Sequence, residues 1–161
     1  MAFSEVFDNI RGVNFEIVDF NSQYGGGAGK TLIRVRKAVG APINQITKAN
    51  IATPFSGSEN SDGNALDWCV NRVRRSFGGG ANLVFVISDG QPAGPAPSGY
   101  TPGTYLQKIV ANLPTDVEVF SVGIAGMDTS RYYTNAVKVE DTGQLARQAL
   151  PAIRKMLRRM L

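Results

Sequence analysis

Histidine is absent from these 161 residues, and that one absence removes imidazole as general base, general acid and metal ligand. Ser-His-Asp and Cys-His catalysis and the usual zinc sites go with it. The single cysteine, Cys69, excludes an intrachain disulfide. No apolar run approaches the ~20 residues that span a bilayer. The opening Met1–Asp8 lacks the basic-then-apolar plan of a signal peptide, so a cytosolic location is the expectation. Charge of one sign is also scarce. The net +4 owes much to Arg154, Lys155, Arg158 and Arg159, which no aromatics interleave. A solvated helix face is therefore expected there, and nucleic-acid binding is not. What is left for chemistry is carboxylates, hydroxyls, amides, lysines and backbone, a donor set suited to a hard cation such as Mg²⁺.

What the chain does have is hydrophobic patterning. Hydrophobic residues make up 43% and charged residues 19%, ordinary for one globular domain over residues 1–161. Leu83-Val84-Phe85-Val86-Ile87 is a continuous apolar run that ends in Ser88-Asp89-Gly90. It reads as a strand buried on both faces, as in a parallel sheet covered by helices, with Asp89 at the edge where ligands gather. Asp89 has a plainer reading as the cap of an Asx-turn.

Around that strand, Phe3, Val6, Phe7 and Ile10 predict a short amphipathic helix, and Asn14–Phe20 predicts a strand. Leu32–Arg36 leans to an edge strand, and residues 40–57 read as loop. Ala65, Leu66, Cys69, Val70, Val73 and Phe77 share one helical face, capped by Ser61 or Asp62 and ended by Gly78-Gly79-Gly80. A loop with four prolines follows the central strand. Then come a helix over 103–113, a strand over 117–124, a short helix over 129–136 and a short strand over 137–139. The last is a helix over 142–161, kinked or restarted at Pro151. Strands alternating with helices specify an α/β, doubly wound sheet.

Two motifs compete for function. Gly25-Gly26-Gly27-Ala28-Gly29-Lys30-Thr31 imitates a phosphate-binding loop, the basis of a P-loop NTPase reading. The spacing requires glycine at position 24, where Tyr24 stands, and the segment after Thr31 is a poor helix. The second motif is Asn60-Ser61-Asp62-Gly63-Asn64-Ala65-Leu66 ahead of a helix, together with Ser88-Asp89 at the strand end. Oxygen ligands from those two places would serve Mg²⁺, with waters and a partner's carboxylate completing the octahedron.

The same residues carry a resemblance. Asp62-Gly63-x-Ala65-Leu66-x-Trp68, Asn71-Arg72, Ile87-Ser88-Asp89-Gly90-x-Pro92 and Pro102-Gly103-x-Tyr105-Leu106 occur in order. Val117-Glu118, Val122-Gly123-Ile124 and Thr129-x-Arg131-Tyr132-Tyr133 continue it, and Gly12-Val13-x-Phe15-Glu16-Ile17 precedes it. Together these resemble a von Willebrand factor A (vWA) domain, most closely that of the T subunit of aerobic cobaltochelatase, over about residues 12–150.

The resemblance implies a Rossmann-like, three-layer fold with a mostly parallel central sheet and a metal-ion-dependent adhesion site at its upper edge. Asp89 matches the strand-end aspartate of that site, and Asn60, Ser61 and Asp62 occupy the place of its middle-loop ligand, with Asp62 the first choice. The family's first strand, with its Asp-x-Ser-x-Ser, has no counterpart before Phe3. Asp19-Phe20-Asn21-Ser22 is a partial alternative whose second serine would be Tyr24. An N-terminally truncated A-domain is thus expected, its first central strand supplied by another chain, or its sheet closed by rearrangement or homodimerisation. Ala93-Gly94-Pro95-Ala96 is neutral where relatives are expected to be acidic.

The implied function is a non-catalytic interaction module of a cobalt- or magnesium-chelatase-type complex, docking an AAA+ motor subunit or the chelating subunit. Mg²⁺ binding should be weak or partner-dependent. An assembly scaffold unrelated to cobalamin is the alternative.

Overall fold

The computed structural model describes residues 4, 7–8, 10, 12–23, 29–53, 59–76 and 81–160. Strands β1 (Ile17–Ser22) and β2 (Thr31–Lys37) form an antiparallel pair. Helices α1 (Gln45–Ala52) and α2 (Asp62–Ser76) follow, then β3 (Asn82–Ser88), α3 (Pro102–Ala111), β4 (Val117–Gly123) and β5 (Asn135–Lys138). A 3₁₀ turn at Thr142–Gln144 leads into α4 (Leu145–Met160). β3, β4 and β5 are parallel and lie in that order. No ladder joins β1 to β3, so the strands divide into a pair and a triplet.

The parallel triplet is covered on both faces, as its apolar strands require. On one side Leu66 and Val70 of α2 and Leu106 of α3 pack on Val84, Val86, Val117 and Val119. On the other, Ala149, Ile153 and Met156 of α4 pack on Phe120, Val122 and Val139, with Phe7, Leu83 and Phe85 against them. Leu106 and Val122 are essentially inaccessible; each such side chain contributes about 1.5–3 kcal/mol by burial. Cys69 packs beside the first cluster, where burial, with some help from the Glu16 charge, pushes its thiol up to about 11. It is a small, partly buried hydrophobe, less covered than the sequence pattern implied.

Three expectations are corrected. Residues 45–52 are helical, not loop: Asn44 caps the helix by accepting from Thr47 N–H at 2.9 Å, and Thr47 Oγ1 donates to Pro42 O. The expected helix over 129–136 is a series of turns, with Tyr132 and Tyr133 N–H both donating to Thr129 O before β5 opens at Asn135. Of the kink or restart expected at Pro151, the restart is overturned, since α4 runs through that residue as one helix. Pro151 and Arg147, whose carbonyl loses its helical donor there, both lie on the exposed side where water is at hand. The helix predicted over Phe3–Ile10 falls largely outside the described residues, as do Phe77 and Gly78–Gly80.

α2 and α3 meet at a glycine. A Cβ on Gly63 would lie 2.7 Å from Tyr105 Cδ1 and 3.2 Å from the Leu106 backbone nitrogen. The ring can yield, but the backbone behind it cannot without parting the helices. Gly63→Ala is therefore expected to lower stability by about 1–3 kcal/mol despite its better helix propensity. Denaturant unfolding measures this; an unchanged or raised midpoint would contradict the close approach.

Candidate metal centre

The carboxyl end of β3 meets the amino end of α2. β3 leaves the sheet at Ser88, and Gly90 turns the chain in a left-handed conformation at φ 71°. Its N–H donates to Ser88 Oγ at 3.1 Å, while Arg131 Nη2 donates to its carbonyl at 2.8 Å. The opposite wall is the loop before α2. Ala93 and Gly94 N–H both donate to Asn60 O at 3.0 Å, which fastens the proline-rich loop to residue 60.

Four oxygen-bearing side chains come together here in two pairs. Asn60 Nδ2 donates to Asp89 Oδ1 across the two loops. The same oxygen accepts Gln91 N–H at 3.0 Å, so the Asx-turn expected of Asp89 is present as well. Among the described residues Asn60 Oδ1 and Asp89 Oδ2 meet no hydrogen-bond partner, and both residues are half-buried. Behind them, Ser88 Oγ donates to Asp62 Oδ1 at 2.6 Å, and Asp62 is only 3% exposed. Its second oxygen, Asp62 Oδ2, has no partner. Burial raises the Asp62 carboxyl above the usual range; the Ser88 hydrogen bond opposes this and the nearby Asp89 charge adds to it.

Ser61 is placed differently. Its carbonyl accepts Ala65 N–H at 2.9 Å to start α2, but its Oγ is buried without a hydrogen bond against Gly94. A Cβ on Gly94 would overlap that hydroxyl, so glycine is required for the loop to close over it. Neither Ser61 nor Asp62 caps α2 through its side chain in the expected way. Sequence reasoning named Asn60, Ser61, Asp62 and Asp89 but gave Ser88 no role. The available signal was its position: a hydroxyl one residue before a strand-end aspartate points to the opposite face of the sheet from it.

Two competing motifs can be placed. Asp19 lies within β1, where Arg36 of β2 holds it in an ion pair, with Nε at 2.7 Å. It does not stand at a strand end. Residues 24–28 of the glycine-rich segment fall outside the described residues, but Thr31 opens strand β2 where a phosphate loop needs a helix.

The donor set suits Mg²⁺ in part. Asn60 Oδ1, Asp89 Oδ2 and the partnerless Asp62 Oδ2 are hard oxygens, and two neighbouring carboxylates gain from a cation between them. Among the described residues no three His, Cys, Asp or Glu side chains cluster as a metal cage, so further ligands must be water or come from elsewhere.

The family model for the cobalamin biosynthesis protein CobT VWA domain matches residues 13–161. The chain belongs to that family. No solved structure matches it. Membership fixes the vWA character of the α/β fold and a connection with cobalamin biosynthesis. It also places the Asn60–Asp62 and Ser88–Asp89 junction within a recognised CobT-type vWA chain. Among the described residues no helix is long and apolar enough to cross a membrane.

The buried Asp62 makes stability depend on pH. Its folded-state pKa lies above the ordinary 3.8, so over that interval the folded chain holds a proton the unfolded chain has lost. Stability therefore falls as pH rises from about 4 through the raised value. Asp62→Asn, melted in EDTA, is expected to be more stable than wild type at pH 7 and to lose that advantage near pH 4. An equal or lower melting temperature at pH 7 would show that the carboxylate is stabilised by groups other than Ser88.

Proposed function

We propose that this CobT-type vWA domain is a non-catalytic docking module of a chelatase-type complex. A Mg²⁺ ion held by Asn60 and Asp89, with Asp62 behind, would accept a carboxylate from an AAA+ motor subunit or from the chelating subunit. The observation that carries this is the meeting of Asn60 and Asp89, from loops 29 residues apart, with one unengaged oxygen each at the carboxyl edge of the sheet. Open α/β sheets bind ligands at that edge.

The chain's own residues would bind and orient, and among the described residues none is poised for group transfer. There is no histidine. Cys69 is partly buried with its thiol pushed up, and the Tyr133 hydroxyl is buried with its ionisation pushed strongly upward by desolvation. A bound Mg²⁺ would supply charge to hold the partner's carboxylate. The loop 93–97 would set how close that partner comes, because Asn64 Nδ2 ties Pro95 O to α2 at 2.6 Å.

With two or three protein oxygens and the rest water, the isolated chain should bind Mg²⁺ weakly, and binding should tighten when the partner is present. Isothermal titration is expected to show no saturation in the micromolar range for the chain alone, and loss of the partner-dependent signal in Asp89→Ala. Tight stoichiometric Mg²⁺ binding that survives Asp89→Ala would reject the site. Failure to co-purify with any AAA+ or chelating subunit, with metal binding intact, would reject the partner class.

A further inference from the structure

We propose that the groove between α2, the start of β2 and the proline-rich loop binds an extended acidic peptide segment of a partner protein. The groove uses a different stripe of α2 from the Leu66 and Val70 face, and its occupancy does not rest on the metal-bridged docking.

The groove is open and has a volume of about 790 Å³. One wall is α2, where Asn64, Asp67, Trp68, Asn71 and Arg75 follow each other at the spacing of a single helix face. The second wall is Lys30, Thr31 and Ile33 at the start of β2, and the third is the loop Pro95-Ala96-Pro97. One side chain fastens all three. Asn64 Nδ2 donates to Thr31 Oγ1 at 3.0 Å and to Pro95 O at 2.6 Å. The groove is therefore preformed, which lowers the entropic cost of filling it. The end of the glycine-rich segment, which fails as a phosphate loop, forms its rim through Lys30 and Thr31.

Charge decides the occupant. The Asp67 carboxylate is already engaged: Oδ1 accepts Asn71 Nδ2 at 3.1 Å, and Oδ2 accepts the Tyr105 hydroxyl at 3.5 Å. Lys30 and Arg75 are both exposed, and among the described residues neither has a carboxylate partner. They stand at opposite ends. Lys30 precedes the Thr31 that meets Asn64, and Arg75 lies three helical turns further along α2. At 1.5 Å per residue the separation is about 16 Å.

An extended or polyproline chain covers that distance in about five residues. Between the two cations the lining is apolar, with Trp68, Ile33 and Pro97. Arg72, held by Glu16 through two bonds of 3.1 and 3.0 Å, lies over the Trp68 ring at 5.5 Å and steadies it. The occupant is thus a pair of carboxylates about five residues apart, with apolar residues or proline between them. Proline suits the middle because it arrives already extended and packs against an aromatic wall. A small molecule is the poorer fit, since such ligands need enclosure on most sides and this groove is open along its length.

Trp68 is the single tryptophan of the chain, so its emission reports on the groove directly. Titrating the 161-residue chain in EDTA with synthetic Gly-Glu-Ile-Pro-Val-Pro-Glu-Gly is expected to give a saturable emission change. Lys30→Glu combined with Arg75→Glu should weaken that binding at least about tenfold, and a peptide with Lys at both Glu positions should recover it. Reversing Arg154 and Lys155 on α4 makes the same change in net charge and should leave the affinity within about twofold. A titration without saturation would overturn the site. Equal loss from the α4 reversal would overturn it too, by assigning the attraction to net charge alone. Displacement of the peptide by micromolar ATP would assign the groove to a nucleotide and overturn the peptide. Mg²⁺ is absent throughout, so the groove and the metal site can fail separately.

Discussion

The bond from Ser88 to Asp62 joins the two halves on which the rest depends. It is buried, it links a strand end to the first turn of a helix, and its acceptor has few alternatives in that setting. Pulling α2 away from β3 would leave Asp62 to find water and would unseat Asn60 two residues earlier. Asn60 in turn holds Asp89 by its side chain and the 93–94 loop by its carbonyl. A single short polar contact thus sets the spacing of three loops at the sheet edge. A buried bond to a charged group is worth more than an exposed one, which suits it to that task.

The parts of the fold with strong periodicity were legible from the residues. The strand over the apolar run 83–87, the face built on Leu66 and Val70, and the strand over 117–122 lie where the pattern places them; the expected burial of β3 on both faces holds only in part, since Leu83 and Phe85 are half-buried and Ile87 is 39% exposed. Helix α1 escaped because burial shapes little of it. Thr47 is its one buried residue and Ile46 is 72% exposed, so its signal lay in the Asn44 cap, which a hydrophobic reading overlooks. The 129–136 stretch misled in the opposite way. Tyr132, Tyr133 and Ala136 have helical spacing, but Asp128 accepts Ser130 N–H and Thr129 accepts two more amides, so local polar bonds outcompete the helix.

At the candidate site the sequence supplied the right loops and an incomplete division of labour. Asn60 and Asp89 share the accessible side, Asp62 backs them from the interior, and Ser61 turns toward Gly94. Which oxygen faces outward depends on strand pleat and on a glycine thirty-odd residues away in sequence, neither of which a motif records. Family membership gives the fold and its biosynthetic setting, while the individual duties of these four residues come from geometry.

The solitary thiol has a practical side. Cys69 belongs to α2 itself, partly buried where the helix packs with Leu66 and Val70 on the strands, and it stays protonated at neutral pH, since burial pushes its thiol up to about 11. A thiol that is partly covered and uncharged reacts slowly with oxidants and alkylating agents at neutral pH. Acceleration of its alkylation above the folded rate would therefore report the lifting of α2 from the strands, one group per molecule, without an engineered label.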